Sequence, residues 1–214
     1  MRHTIPTIGL LDVIVTFFFL LLIYIWAIYY RDKRNKTNPE YKYFIICLTA
    51  KLVGGVGFVL YMLYYAGGDS IVFFNAGKAL SEYYFTDFSS AIDVLFGTAS
   101  ELNLDQYNFA PIYNYILRSN DVLTIVKITS IINILSVGSY LGSSILFAFL
   151  SFLGLWFGYS NLCELYPKSA KKMMIAFFLI PTALLWSSGV LKDTVTMCII
   201  GLYLYAFSNP FPLI

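Results

Sequence analysis

Apolar residues occur along this chain in long blocks that are separated by short polar segments. A membrane-spanning helix needs about 20 mostly apolar residues, and five blocks come near that length. The predicted spans are residues 8–30, 43–65, 140–163, 171–187 and 191–208. Pro181 lies inside the fourth block and is expected to kink or break that helix, because proline lacks the backbone N–H donor. The pattern predicts an all-α fold, a polytopic transmembrane helical bundle that forms a single domain over residues 1–214.

Basic residues are concentrated in two of the segments between spans, 31–42 and 166–172. Because cytoplasmic loops are enriched in lysine and arginine, both segments are predicted to be cytoplasmic. The N-terminus, the long stretch 66–138 and the turn 188–192 are then predicted to lie outside.

Residues 122–137 are apolar but form a block that is short for a span. Lys127, Ser130, Asn133 and Ser136 recur there on one side at helical spacing. We therefore predict an amphipathic helix that lies at the outer interface of the membrane. If this block crossed the membrane instead, the basic segment 166–172 would lie outside, against the usual charge distribution.

A polar feature follows the second span directly. Gly67 and Gly68 permit a sharp exit from the membrane, and Asp69 and Ser70 are residue types that begin helices well. An amphipathic helix is predicted next, with one face against lipid (Ile71, Phe74, Ala79, Leu80 and Tyr83) and one face outward (Asn75, Lys78 and Glu82). Helix capping is a sufficient explanation of Asp69; the functional alternative is a carboxylate held where a lipid-linked substrate presents its head group.

A second polar feature is the turn between the fourth and fifth predicted spans, with the sequence WSSGVLKDTV (186–195). Lys192 and Asp193 are predicted to occupy the first turn of the fifth span, where the helix end carries partial positive charge. With the hydroxyls of Ser187 and Ser188 they would form a phosphate-binding corner. The alternative is that any hairpin between spans needs polar residues and that lysine snorkels to the surface.

Inside the second span, Lys51 is expected to snorkel to the cytoplasmic surface, and Gly54, Gly55 and Gly57 are expected to allow close helix packing. Outside the spans, residues 103–121 are rich in Tyr and Asn. They could bind sugar, although ordinary loop composition also explains them.

Composition agrees with a membrane protein. Hydrophobic residues make up 59% of the chain and charged residues 12%, about half the charged share of a soluble domain. The net charge of +2 gives no indication of a nucleic-acid partner. His3 is the single histidine, which argues against a histidine-rich metal site and a Ser-His-Asp triad. The cysteines at positions 47, 163 and 198 are interpreted as small apolar residues.

The stretches GGDSIVFFNAGKALSEYY (67–84) and PTALLWSSGVLKDTV (181–195) together resemble the N-terminal half of GT-C-type membrane glycosyltransferases. That group includes protein mannosyltransferases and the aminoarabinose transferases of lipid A. The second stretch looks like the Pro-Ser/Thr…Trp-Ser-Ser-Gly…Lys-Asp/Glu pattern of bacterial relatives. The resemblance covers roughly residues 43–205.

This resemblance implies transfer of a sugar from a polyprenyl-phosphate donor at the outer face of a bacterial inner membrane. Asp69 would be the catalytic carboxylate. The implied substrate-binding residues are Ser70, Lys78, Ser187, Ser188, Lys192 and Asp193. Asp69 and Asp193 could hold a divalent metal, Mg²⁺ or Mn²⁺, although the cofactor is otherwise open. The implied partners are membrane lipid and the lipid-linked sugar donor.

Other functions stay open. Members of this group have more spans and often a further domain, so the chain is expected to be a partial copy that works with a missing C-terminal portion or another membrane subunit. The alternative is a non-catalytic membrane subunit or a component of polysaccharide polymerisation or export. A small transporter is disfavoured, because transporters place polar residues near the midplane on broken helices, whereas here the polar residues concentrate near the predicted outer surface.

Overall fold

The computed structural model describes residues 5–102 and 119–208, and all regular structure in these two ranges is helical. The helices are α1 (Leu10–Arg34), α2 (Phe44–Tyr61), α3 (Asp69–Thr86), α4 (Phe88–Phe96), α5 (Asn120–Leu135), α6 (Tyr140–Leu165), α7 (Ala170–Phe178), α8 (Pro181–Trp186) and α9 (Lys192–Ser208). Short 3-10 turns precede α2 and α7, and one π turn, Met62–Ala66, continues α2. The predicted all-α class is therefore confirmed.

Three helical segments are long and apolar enough to cross a membrane: Leu10–Arg34, Pro39–Tyr65 and Tyr140–Leu165. They indicate a membrane protein and match the first, second and third predicted spans. The fourth predicted span is divided into α7 and α8, because Pro181 begins a new helix instead of continuing the old one. Among the described residues, three of the five predicted spans are therefore matched by a helix that is long and apolar enough to cross a membrane.

Helix α6 contacts most of the other helices, and its contacts fix their directions. Near its start Ser139 donates to Asp12 at the start of α1, and further along the rings of Phe149 and Trp26 meet. Helices α1 and α6 therefore run parallel. Helix α2 runs antiparallel to α6, because Lys51 contacts Ser151 whereas the later residue Gly55 lies beside the earlier residue Ala148.

Glycines bring α6 and α9 into backbone contact. A Cβ placed on Gly154 would lie 2.3 Å from the carbonyl oxygen of Cys198, and one on Gly158 would lie 2.7 Å from that of Gly201. The contacts follow the same order along both helices, since Gly154 meets Cys198 and the later Gly158 meets the later Gly201. Helix α9 therefore runs parallel to α6. Small residues at such a crossing let two helices approach closely enough for extensive van der Waals contact.

Helices α3 and α5 pack against each other. Ile71, Phe74 and Leu80 of α3 are buried in one apolar cluster with residues of α5, and a Cβ on Gly77 would lie 2.6 Å from a side-chain carbon of Thr129. The prediction that these three apolar residues face lipid was wrong, since they cover the apolar side of α5.

Helix α5 occupies nearly the predicted residues, but its polar side faces the protein. The hydroxyl of Ser130 bonds to Tyr84, the amide of Asn133 donates to the backbone oxygen of Phe74, and the hydroxyl of Ser136 bonds to Ser143. Polar groups can be buried in this way because each finds a partner. An amphipathic helix that lies at an interface turns its polar side to water, whereas these three side chains are bonded within the protein.

The two basic segments lie at the same end of the bundle. Asn38 donates to Glu164 across 3.5 Å, and a small pocket is lined by both Lys42 and Pro167. Asp12 lies at the other end of α1. At about 1.5 Å per residue along α1, Asp12 is some 30 Å from the first of the two basic segments.

Candidate functional site

The exit from the second span has the predicted geometry. Gly67 and Gly68 have φ angles of 62° and 92°, which L-residues with a Cβ rarely adopt. Gly68 is the N-cap of α3 and Asp69 is its first residue, so Asp69 does not occupy the capping position. Asp69 is exposed. Capping therefore does not explain this carboxylate, although the positive end of α3 stabilises its charge.

Ser70, one residue later, is buried, and its hydroxyl lies 2.8 Å from the hydroxyl of Tyr140. This bond ties the start of α3 to the start of α6. The hydroxyl of Ser70 is thus used within the protein, which differs from its expected contact with substrate.

The turn between α8 and α9 is enclosed in the bundle. Ser188 is fully buried and donates to the backbone oxygen of Leu184 at 2.6 Å; Ser187 donates to that of Ala183. A Cβ on Gly189 would fall within the ring of Phe58. The two serine hydroxyls therefore do not face the exterior, and the phosphate-binding corner predicted from them is not formed there.

Lys51 does not snorkel. Its side chain is 1% exposed, and the ammonium donates to the carbonyl oxygen of Ser187 at 2.9 Å, to the hydroxyl of Ser151 at 3.1 Å and to the hydroxyl of Ser187. These three acceptors match the three donors of an ammonium group. The prediction that this lysine reaches the cytoplasmic surface was wrong, because the enclosed turn offers closer partners.

The depth of Lys51 follows from its partner Ser151, which lies about 16 Å along α6 from Tyr140 at 1.5 Å per residue. Helix α6 is about 39 Å long by the same measure, so the ammonium lies near its middle. A mid-span charge beside a broken helix is typical of transporters. Because all three donors of Lys51 are bonded to the protein, however, none is left over for a substrate.

Lys192 has a partner that the sequence did not reveal. Its ammonium lies 2.5 Å from a carboxylate oxygen of Asp121 at the start of α5 and 6.0 Å from the ring centre of Phe73. Phe73 follows Asp69 by one turn on the same face of α3. The hydrogen bond from Lys192 holds the pKa of the Asp121 carboxyl below its ordinary value.

A cleft of about 480 Å³ lies between α5 and α9 beside this ion pair. The lining residues near the starts of the two helices are mostly polar (Asp121, Thr124, Lys192 and Asp193), and those further along are mostly apolar (Ile125, Ile128, Val195 and Ile199), with Thr196 among them. The cleft can thus accommodate an amphiphile, with a charged head group near Lys192 and hydrocarbon beyond it.

A second hollow, of about 600 Å³, is formed by the start of α1, the middle of α3 and the turn before α6. Asp12, Asn75, Lys78 and Glu82 line it. Lys78 therefore belongs to this hollow and is separate from the cleft that contains Lys192. Asn75, Lys78 and Glu82 share one face of α3, as predicted; Lys78 and Glu82 are exposed and Asn75 is half-buried.

The described part of the chain contains no group of three or more residues suited to hold a metal ion. Asp193 shares its cleft with Asp121, whereas the expected metal pair was Asp69 and Asp193. Two carboxylates with a substrate phosphate are a common donor set for Mg²⁺. In this cleft the carboxylates of Asp121 and Asp193 are the two that line the wall, and Asp121 is paired with Lys192.

Sequence reasoning missed Asp121, Asp12 and the partners of Lys51. An acidic residue in the first turn of a predicted helix was the available signal for the first two, but their partners lie 71 and 127 residues away. The sugar-binding possibility raised for 103–121 falls largely outside the described residues.

No protein-family model matches this chain, and comparisons with curated proteins and with solved structures give no match.

Proposed function

We propose that this chain is a membrane glycosyltransferase module that uses a polyprenyl-phosphate sugar donor at the outer face of a bacterial inner membrane. The observation that carries the proposal is the cleft between α5 and α9, with Lys192 at its polar part and Ile128 and Ile199 on its apolar part. A polyprenyl phosphate has the same division into a charged head group and a hydrocarbon chain.

The polar part of the cleft suits the phosphate of such a donor. Lys192 is in the first turn of α9, where the helix end adds partial positive charge. The side chain of Lys192 is 42% exposed and that of its present partner, Asp121, is 59% exposed. An exposed ion pair is worth little, so a phosphate can replace Asp121 as the partner of Lys192 at small cost.

Asp69 is the proposed general base. It is exposed at the start of α3, one turn before the ring that Lys192 overlies. In the reaction an acceptor hydroxyl attacks the anomeric carbon of the donor sugar while the bond to the phosphate oxygen breaks. The hydroxyl proton passes to the carboxylate of Asp69, and the electron pair leaves with the polyprenyl phosphate, whose charge Lys192 stabilises.

The same proposal places the N-terminus outside and both basic segments in the cytoplasm, with five crossings. It is supported by the parallel directions of α1, α6 and α9, by the antiparallel direction of α2, and by the shared end of the basic segments. The fourth crossing is then made by α7 and α8 together.

The experiment uses the full chain in vesicles with a photoreactive polyprenyl phosphate. Cross-links are expected on peptides from α5 and α9, and Lys192→Met should reduce them at least tenfold. Lys168→Met, which removes an exposed charge at the other end of the bundle, is the matched control. Cross-links that are unaffected by Lys192→Met would contradict the donor site.

Catalysis is tested with radiolabelled polyprenyl-phosphate sugars, and the measured quantity is the release of the sugar from the donor. We expect the original chain to turn over the donor and Lys192→Met to lose this activity. Donor binding without turnover would overturn the transferase and favour a non-catalytic subunit of polysaccharide polymerisation or export.

A further inference from the structure

The hollow beside α1 has an acidic wall that is held in position. One carboxylate oxygen of Asp12 accepts a hydrogen bond of 2.6 Å from the hydroxyl of Ser139, and the other accepts one of 3.1 Å from the backbone N–H of Gly9. Ser139 is itself fixed, because its oxygen accepts from the N–H of Gly142 and caps α6. The carboxylate of Asp12 is therefore oriented before any ligand binds.

The opposite wall is formed by α3. Lys78 and Glu82 are one helical turn apart, so they share a face, and both are exposed. Among the described residues the ion pairs are Arg31–Asp32 and Lys192–Asp121, so neither Lys78 nor Glu82 is held in an ion pair there. Three charged groups on two helices thus line one cavity of about 600 Å³, a volume within the range of small-molecule sites.

The charges of this hollow select among ligands. Two carboxylates and one ammonium give it a net charge of −1, which disfavours a phosphate. A sugar hydroxyl both donates and accepts hydrogen bonds, so vicinal hydroxyls can donate to Asp12 or Glu82 while accepting from Lys78. A neutral polyhydroxylated ligand can therefore hydrogen-bond to all three side chains.

The hollow also lies close to the proposed donor site. Phe74 lines the hollow and its neighbour Phe73 lies under the ammonium of Lys192. Consecutive residues of α3 therefore contact the hollow and the ammonium group of Lys192, which lines the cleft.

We propose that this hollow, lined by Asp12, Lys78 and Glu82, is a binding site for a neutral saccharide, separate from the cleft that contains Lys192. Its assignment to the acceptor sugar of a transfer reaction rests on the proposed function. Saccharide binding itself does not depend on that function.

Binding is measured by calorimetry on the full chain in nanodiscs that contain no lipid-linked sugar. The probes are neutral hexose and N-acetylhexosamine oligosaccharides, inorganic phosphate and phosphoethanolamine. We expect one or more of the neutral saccharides to bind, with at least a tenfold loss of affinity in both Lys78→Met and Glu82→Gln. Asp93→Asn, which alters an exposed carboxylate on α4, is the matched control and should bind as the original chain does.

Location is tested by thiol labelling. All three natural cysteines are buried, so a polar maleimide should react selectively with Lys78→Cys. The saccharide that binds should protect this thiol at least fivefold. If a lipid-linked form of the same sugar protects this thiol and the free sugar does not, the ligand comes from the membrane.

Three results would overturn the saccharide site. The first is a preference for inorganic phosphate or phosphoethanolamine, and the second is an equal loss of binding in Asp93→Asn. The third is that no neutral saccharide binds, either free or lipid-linked. Photo-cross-linking of polyprenyl phosphate near Lys192 should be unchanged in Glu82→Gln. Loss of saccharide binding at the hollow and loss of donor binding at the cleft can therefore be told apart.

Discussion

The ammonium nitrogen of Lys51 lies 2.9 Å from the carbonyl oxygen of Ser187, which joins the middle of α2 to the turn that leads into α9. A buried charge must be paired and hydrogen-bonded to be tolerated. Here the acceptors come from that turn and from Ser151 of α6. The lysine therefore fixes the position of the turn between α8 and α9, and with it the start of α9, where Lys192 and Asp193 lie.

Lys51→Met should destabilise the protein, because it leaves the buried carbonyl of Ser187 without its partner. An unsatisfied buried group costs about 1–3 kcal/mol, which should be visible in the free energy of unfolding measured by titration with a denaturing detergent. Lys42→Met, at an exposed position, is the control. Equal stability of the two variants would show that Lys51 does not hold the turn.

The glycines of the bundle should differ sharply in their tolerance of alanine. In Gly154→Ala the new methyl group would lie 2.3 Å from the backbone of α9, whereas in Gly57→Ala the nearest atom is 3.9 Å away. We expect Gly154→Ala to lower the free energy of unfolding by about 1–3 kcal/mol or more through overpacking, and Gly57→Ala to have little effect. Similar losses in both would contradict the close contact of α6 with α9.

Asp69→Asn separates a catalytic role from a structural one. Asp69 is exposed and is not the N-cap residue, so the variant should fold, with a loss of no more than about 1 kcal/mol from the missing charge at the helix end. If Asp69 is the general base, release of sugar from a polyprenyl-phosphate donor should fall by about 10²–10⁴-fold. Full turnover in Asp69→Asn would remove this residue from the mechanism.

Labelling from opposite sides tests the five-crossing topology. Ser89→Cys and Lys168→Cys place a thiol at two exposed positions, and the natural cysteines are all buried. In oriented membranes an impermeant maleimide added outside should label the first variant and leave the second unmodified. Labelling of both from one side would rule out this arrangement.

The ion pair of Lys192 with Asp121 should persist at neutral pH and break in acid. The pKa of Asp121 is lowered chiefly by its hydrogen bond to Lys192, so the interaction is fully present above the ordinary aspartate value of about 4. It is lost as the pH falls through the lowered value in the folded protein. Lys192→Met should raise the pKa of Asp121 towards the ordinary value, as measured by NMR titration of the carboxyl carbon. An unchanged pKa in that variant would contradict the pairing.

The sequence by itself determined the helices that depend on local properties. Apolar length identified the three helices that can span a membrane, because transfer into hydrocarbon is decided by the composition of each segment. Gly67 and Gly68 predicted the sharp exit after the second span, and Pro181 predicted a break in the fourth. These outcomes depend on backbone constraints within a few residues.

Only the tertiary structure decided where the polar groups go. Lys51 bonds to residues 100 and 136 positions away, and Lys192 to one 71 positions away. A hydropathy pattern does not contain such pairings, so it assigned Lys51 to the surface and did not reveal the partners of Ser130, Asn133 and Ser136. Because a buried polar group is stable only with a partner of matching geometry, its location depends on how the helices pack, and packing brings together residues that are distant along the chain.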